Sequence, residues 1–582
     1  MKQANVSLVR IAIILLLAVF FGIGFIFFFY PIRDVSTTHL IISLIAISVL
    51  FSITFSRKTF EPYYQLKRRN QRFSFTFLTL YTLCLLLSLK GEQYYLQDNS
   101  TFTKIYVYVS TYIVLFALTL VIVRFLFRLR NDKKDVSKVH ILWYAVPSMA
   151  VFSLYLAGLF PGIMTVDSLF QWIQIHILEF NDWHPVVHTW FLLLLTKIWD
   201  SPAVVGIAQI LIMSFVFAYG AYRFRKQGAN KWIVYLAIVG FACMPINGVY
   251  SVTLWKDILF STAIMFLTIL LFNIVSTEGK WLHKNTNVLL FFIASVGVVF
   301  FRHNGFPAFF VTMIIFFIIF RFKLVKMYAV AIVVIALHFI VTGPIFSYFH
   351  VKPSDPNEAY AIPIQQIGRV ISYDGNITKE QLEYYGQVLP LEEWKNNYNP
   401  YIADPLKGSQ NYNRKFLYAN KAEFFEHWLE LCKQNPKLVT ESYLDITSLV
   451  WQIKVPADGY TSTYGKEPPS PEVLKEHRIK VAYGSEKVQT VLSKVLTKVE
   501  NSPLNILNRP AVYLFIMILC LFVTAIKSNW KLILVALPCL LNAGTVAVAL
   551  PAQDVRYLYA NILVTYILFL MASVQVKREQ QS

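Results

Sequence analysis

The chain has 582 residues, of which 56% are hydrophobic, 16% aromatic and only 15% charged, and its mean hydropathy is +0.52. A soluble globular protein of this length is far more polar, so the composition excludes one and indicates a multi-pass integral membrane protein. The net charge of +20 does not mark a nucleic-acid binder: residues 351–508 hold 18 Lys and Arg against 19 Asp and Glu, so the surplus lies in the apolar remainder, where it reports topology.

Apolar runs of about 20 residues, each long enough to cross roughly 30 Å of hydrocarbon, predict an all-α protein with about 14 transmembrane helices. The short alternating segments of a β-barrel do not dominate. Residues 8–30 leave the cytoplasm, 40–55 return, 73–90 leave and 105–127 return. Two basic clusters then fall inside by the positive-inside rule: Arg57, Lys58, Lys67, Arg68, Arg69 and Arg72, and Arg124, Arg128, Arg130, Lys133, Lys134 and Lys138. No small-residue cleavage site follows the first run, which therefore reads as a retained helix and not as a signal peptide. These four helices form an N-terminal extension over residues 1–140.

Residues 141–160 deliver Asp167 to the outer face, in the polar break Pro161-Gly-Ile-Met-Thr-Val-Asp-Ser-Leu-Phe-Gln171. If 184–199 crossed the membrane, the basic loop Arg223, Arg225, Lys226 and Lys231 would lie outside, against the rule. The apolar run 186–196 is also short for a span. Residues 165–199 are therefore expected to be re-entrant or interface helices. The spans 202–222, 232–244, 258–274, 288–301, 306–320 and 327–346 complete a membrane module over 141–350, with Lys280, Lys284, Arg321, Lys323 and Lys326 inside and Asp257 and Arg302 outside. Residues 351–508 form an extracytoplasmic soluble domain, mainly helical or mixed, large enough for its own core. Within it, residues 421–434 carry Phe424, Phe425, Trp428, Leu429 and Leu431 at helical spacing before Asn435-Pro436. Residues 509–582 return through 511–526, 532–550 and 557–572 to a basic tail, so both termini are expected in the cytoplasm. Four of five cysteines lie in apolar spans and only Cys432 in the outer segment, which argues against a disulfide framework.

The polar residues at the outer boundaries are the candidate site. A carboxylate at a membrane boundary is costly unless it is used, which makes Asp167 the first candidate. Asp167, Gln171 and Gln174 recur at helical spacing and predict an amphipathic interface helix, with Phe170, Trp172, Ile173 and Ile177 left for lipid or protein. A surface helix with its polar side in water accounts for the same pattern. His184 and His188 are four apart; two histidines fall short of a metal site, which normally needs at least three ligands, and orienting an acidic or phosphate group fits equally well. Lys256-Asp257, Arg302-His303-Asn304-Gly305 and Gln553-Asp-Val-Arg556-Tyr557 interrupt apolar stretches at other outer boundaries. Singly, each is a common interface anchor. Together they place carboxylates and cations at one face, chemistry suited to a lipid-linked phosphate with a base beside it.

In this pattern the chain resembles the GT-C superfamily of polyprenyl-phosphate-dependent glycosyltransferases, and within it a multi-pass bacterial branch carrying Pro-Gly-(x)4-Asp-Ser-(x)2-Gln, His-Pro and Lys-Asp. Those motifs stand here at 161–171, His184-Pro185 and Lys256-Asp257. The resemblance covers about 141–346, touches the C-terminal spans loosely and leaves out the first four. It implies a GT-C-like fold in the cell membrane, with Asp167 as the base that deprotonates an acceptor hydroxyl and Asp257 as a second catalytic acid. Gln171, His184, His188, Lys256, Arg302, His303, Arg556 and Tyr557 would bind substrate or lipid phosphate. The donor would be a polyprenyl-phosphate-linked sugar and the acceptor an extracytoplasmic cell-envelope glycan, lipid or protein, with membrane lipid as a further partner and inversion at the sugar. The resemblance implies no certain cofactor. A divalent metal stays open, although many relatives have Asp-Glu where this chain has Asp167-Ser168. Two other classes compete: a transporter, which would place ionisable groups near the midplane of internal repeats, and a membrane acyltransferase using His184 or His188 as base.

Overall fold

The computed structural model describes residues 2–56, 68–91, 94–97, 99–129, 131–132, 136–456, 459 and 461–576. The basic residues Arg57, Lys58, Lys67, Arg130, Lys133 and Lys134 and the tail from residue 577 lie outside the described residues, as do the side chains of Arg68 and Arg69. Some 77% of the described residues are helical, with no strand among them, as expected of an all-α protein. Where lipid surrounds a chain, helices are the economical solution, because each backbone N–H and C=O is satisfied within its own segment.

Among the described residues, 11 helices are long and apolar enough to cross a membrane. The difference from the expected fourteen has a physical reason in three places. Lys231–Cys243 has 13 residues and Asn285–Phe300 has 16, about 20 and 24 Å at 1.5 Å per residue, short of a bilayer core. Gly305–Tyr348 counts once as a 44-residue stretch, yet Arg321 breaks it at φ 47°. Its halves fold back on each other, with Tyr328 donating to the Phe316 carbonyl at 3.0 Å.

Lys256–Ser276 is the axis of the bundle and is buried along nearly its whole length. Around it pack Pro202–Gln227, Asn285–Phe300, Leu537–Val548 and Tyr559–Ser573. The N-terminal helices Lys2–Phe29, Thr37–Thr54, Arg68–Leu89 and Thr101–Arg128 pack mainly on one another. They reach the remainder through Phe77 stacked on Phe522 at 4.2 Å and Tyr81 bonded to the Phe515 carbonyl.

Residues 351–508 have two parts. Ile364, Ile367, Tyr385, Trp394, Leu417, Phe424 and Leu431 form a core separate from the bundle. From Leu449 onward, Leu449, Val450, Tyr464 and Leu496 join the main core instead, while Leu474 and Ile479 pack with Trp172, Ile175 and Leu254. Tyr250 donates to the Thr463 carbonyl at 2.6 Å and Ser485 N–H to the Ala157 carbonyl at 2.8 Å, so this second part closes over one end of the bundle. The opposite end gathers basic loops. There Arg225 pairs with Asp132 at 3.2 Å, and Lys527 donates to the carbonyls of Leu126, Leu129, Ala572 and Ser573, capping two helix C-termini.

Candidate active site

Two loops are tied together before two helices begin, and this junction builds the site. Ile163 N–H donates to the Val252 carbonyl at 2.9 Å, and Leu254 N–H returns a bond to Ile163 at 3.0 Å. Gly162 permits the approach: its φ is +127°, and a Cβ there would lie 2.9 Å from the Val252 carbonyl oxygen. Ser168 Oγ donates to the Leu254 carbonyl at 2.8 Å and Trp255 Nε1 to Thr165 Oγ1 at 2.7 Å. The clamp sets the start of Val166–Ile177 beside the start of Lys256–Ser276. Asp167 and Asp257 therefore each sit in the first turn of a helix, where the helix dipole favours a carboxylate.

Cations from distant parts of the chain meet these acids. Asp167 Oδ2 lies 2.7 Å from Arg556 Nη1 and 3.5 Å from Lys256 Nζ, while its Oδ1 lies 4.0 Å from His184 Nε2. Lys256 Nζ also donates to His184 Nδ1 at 2.8 Å, which requires that nitrogen to be unprotonated. Burial first, and then the Lys256 ammonium, push His184 down to about 3, so the ring is neutral at physiological pH. For Asp167, burial works to raise the pKa, but the Lys256 ammonium and the Arg556 guanidinium outweigh it and hold the carboxyl well below the usual carboxylate range.

Asp257 has no exposed surface and is compensated by Arg302, whose Nη1 stands 3.1 Å away. Arg302 also lies 4.8 Å from the centre of the Tyr557 ring and bonds the Tyr557 carbonyl. Arg556 is flanked by the Trp255 ring at 4.7 Å and by Asp554, whose Oδ2 lies 2.9 Å from its Nε. Burial pushes Asp554 up to about 6 despite Arg556. The sequence-predicted residues Asp167, His184, Lys256, Asp257, Arg302, Arg556 and Tyr557 thus gather in one cluster.

The remaining predicted residues stand beside it. Gln171 and His188 are buried behind the cluster, and Gln171 Nε2 donates to His188 Nδ1 at 3.2 Å and to Thr189 Oγ1 at 2.8 Å. His303 is half-exposed and bonds the Asp182 carbonyl at 2.9 Å, away from Asp167. It lines a cavity of about 270 Å³ together with Arg302, Asp182, His338 and the apolar side chains Val186, Phe300 and Phe306. Arg302 forms the shared wall between cavity and cluster. Among the described residues, no group of three or more His, Cys, Asp or Glu side chains is arranged to hold a metal ion. The nearest charged partners of the two acids are cations, Arg556 and Lys256 at Asp167 and Arg302 at Asp257.

Sequence reasoning missed Trp255, Thr165 and Asp182. Asp554 stands in the interrupted run already noted at the last span, and its position two residues from Arg556 was the available signal.

Fold and site together define an all-α protein with helices of membrane-spanning length and a cation-rich acidic cluster at one end of the bundle. The chain belongs to a family of unknown function (DUF6020), whose sequence model matches residues 2–582. Comparison with curated proteins and with solved structures found no match.

Proposed function

We propose that the protein is a GT-C-type membrane glycosyltransferase that moves a sugar from a polyprenyl-phosphate donor to an acceptor on the extracytoplasmic side. The observation that carries this reading is the convergence of Lys256, Arg302 and Arg556 on two acids, beside a cavity with one charged rim and apolar walls. A lipid phosphate has that amphipathic form: its anion suits the guanidinium groups and its chain suits Val186, Phe300 and Phe306. In the reaction, an acceptor hydroxyl gives its proton to Asp167, and its oxygen bonds to the anomeric carbon. The bond from that carbon to the phosphate oxygen breaks, and polyprenyl phosphate leaves with the electron pair, its charge met by the cations. Held by Arg556 and Lys256, the Asp167 carboxylate is a weak base. A phosphate that draws those cations to itself returns basicity to Asp167 when the donor is present.

The acyltransferase alternative is weaker on geometry, because His188 is fully buried and bonded to Gln171, and the buried His184 already accepts from Lys256 Nζ at Nδ1. The transporter alternative is weaker because the charged groups lie at helix ends and not midway along the axial helix.

Purified protein should be thermally stabilised by a polyprenyl-phosphate sugar or by polyprenyl phosphate, since a ligand that binds only the native state raises apparent stability. Asp167→Asn should fold and insert normally yet lose transfer by about 10²- to 10⁴-fold, the usual contribution of a general base. Near-normal transfer in that variant would sink the mechanism. A response to soluble nucleotide sugars and to no lipid-linked one would favour a different enzyme class, and movement of a solute across vesicles would favour transport.

A further inference from the structure

We infer that Gln553 is a positioning residue: it fastens the loop that carries Arg556 to the 351–508 segment, and so sets Arg556 against Asp167. This rests on the reading of Asp167 and Arg556 as site residues, but not on which reaction they serve. Gln553 has no exposed surface, and all its side-chain bonds leave its own element. Its Nε2 donates to the Asp445 carbonyl at 2.8 Å and to Ser448 Oγ at 2.6 Å, and its Oε1 accepts from Arg509 Nη1 at 3.3 Å. The backbone on either side is held as well. Ala403 N–H donates to the Pro551 carbonyl at 2.8 Å, Ser462 N–H to the Gln553 carbonyl at 2.9 Å, and Val555 N–H to the Ser462 carbonyl at 3.0 Å.

The loop is thereby gripped from both parts of the outer segment, by Ala403 and Asp445 on one side and by Ser462 on the other. Only two residues, Asp554 and Val555, separate Gln553 from Arg556, and the turn between them is short. Asp554 accepts from Arg556 N–H at 3.1 Å and pairs with its guanidinium, so Arg556 has little freedom once residues 551–555 are fixed. The nearest cation to Asp167 is consequently placed by hydrogen bonds made outside the bundle. A buried amide with every bond crossing to another element is a costly arrangement to leave half satisfied. Removing it should release the loop as a unit and not merely lower stability.

The test is residue-resolved chemical labelling of the full-length protein, well below its unfolding temperature and with no substrate present. Phenylglyoxal reports on Arg556 and a water-soluble carbodiimide with an amine on Asp167, both read by peptide mass spectrometry. Gln553→Met keeps the side-chain volume and removes the hydrogen bonds. It should raise labelling of both residues several-fold, and Ser448→Ala should raise it less. Gln381→Met makes the same change at another buried amide, in the separate outer core, and should leave both labels at the wild-type level. Unchanged labelling in Gln553→Met would overturn the inference, and so would an equal rise in Gln381→Met, which would signal general loosening. If Gln553→Met does not fold, Ser448→Ala decides by the same readout. Failure of any lipid-linked donor to bind would count against glycosyl transfer and leave this result standing.

Discussion

At the residue scale, the most demanding feature is Asp257, a carboxylate without exposed surface whose nearest cation is Arg302. Desolvation of such a pair costs nearly as much as its attraction returns, so the pair adds little net stability, whereas removing one partner strands the other charge. Arg302→Ala should therefore destabilise the protein by about 3–5 kcal/mol even if Arg302 serves only the substrate. Asp257→Asn in the same chain should recover part of that loss, because an amide tolerates burial without a counter-ion better than a carboxylate does. Thermal unfolding of the two single variants and the double variant measures the coupling, and strictly additive losses would mean that the two residues do not depend on each other. The same reasoning governs any ligand-binding experiment with Arg302→Ala: its stabilisation by lipid phosphate has to be read against its own unliganded state.

At the scale of elements, Val166–Ile177 buries polar side chains beside apolar ones. Ser168, Gln171 and Gln174 are buried together with Trp172 and Ile175, while Val166, Ile173 and Ile177 are exposed, which suits a helix with apolar residues against lipid and polar groups toward the site. Gln171→Leu leaves His188 Nδ1 and Thr189 Oγ1 without their donor and should cost about 1–3 kcal/mol in thermal unfolding. Ile173→Ala should change stability by less than about 0.5 kcal/mol. A helix with its polar side in water gives the reverse ranking. This helix also marks the boundary of what the sequence can express. Periodicity places Asp167, Gln171 and Gln174 on one face, but which face turns inward depends on what surrounds the helix. The charged breaks at Lys256-Asp257, Arg302 and Arg556 were legible because each interrupts an apolar run. Their partners were not, since Asp167 and Arg556 are brought together across 389 positions of chain. Trp255 gave no signal at all, as an aromatic residue at a helix start is ordinary. Gln553 stood in a visible polar run, and only the packing of residues 445–462 against it reveals its bonds.

For the whole molecule, the two ends of the bundle differ in chemistry, and that difference is the basis for assigning sides. The end with Arg225, Lys226, Lys280 and Lys527 is basic, whereas the end covered by residues 351–508 carries acids and cations in near balance. Short basic loops are retained in the cytoplasm during insertion, which would put the Asp167 cluster and the outer segment on the extracytoplasmic side. All five cysteines are free, so a cysteine-free background should be obtainable without breaking a disulfide. In it, single cysteines at Lys379 and Glu392, both exposed in the outer segment, should react in intact cells with a membrane-impermeant maleimide. Cysteines at Lys226 and Lys280, exposed at the basic end, should react only after the membrane is permeabilised. The reverse pattern would put the Asp167 cluster in the cytoplasm, where soluble nucleotide sugars are available and a lipid-linked donor would have no advantage. Labelling of both sets in intact cells would deny that the bundle separates them across a bilayer. The measurement therefore bears on the donor as directly as on the topology, because the side of the membrane on which Asp167 lies decides which activated sugars reach it.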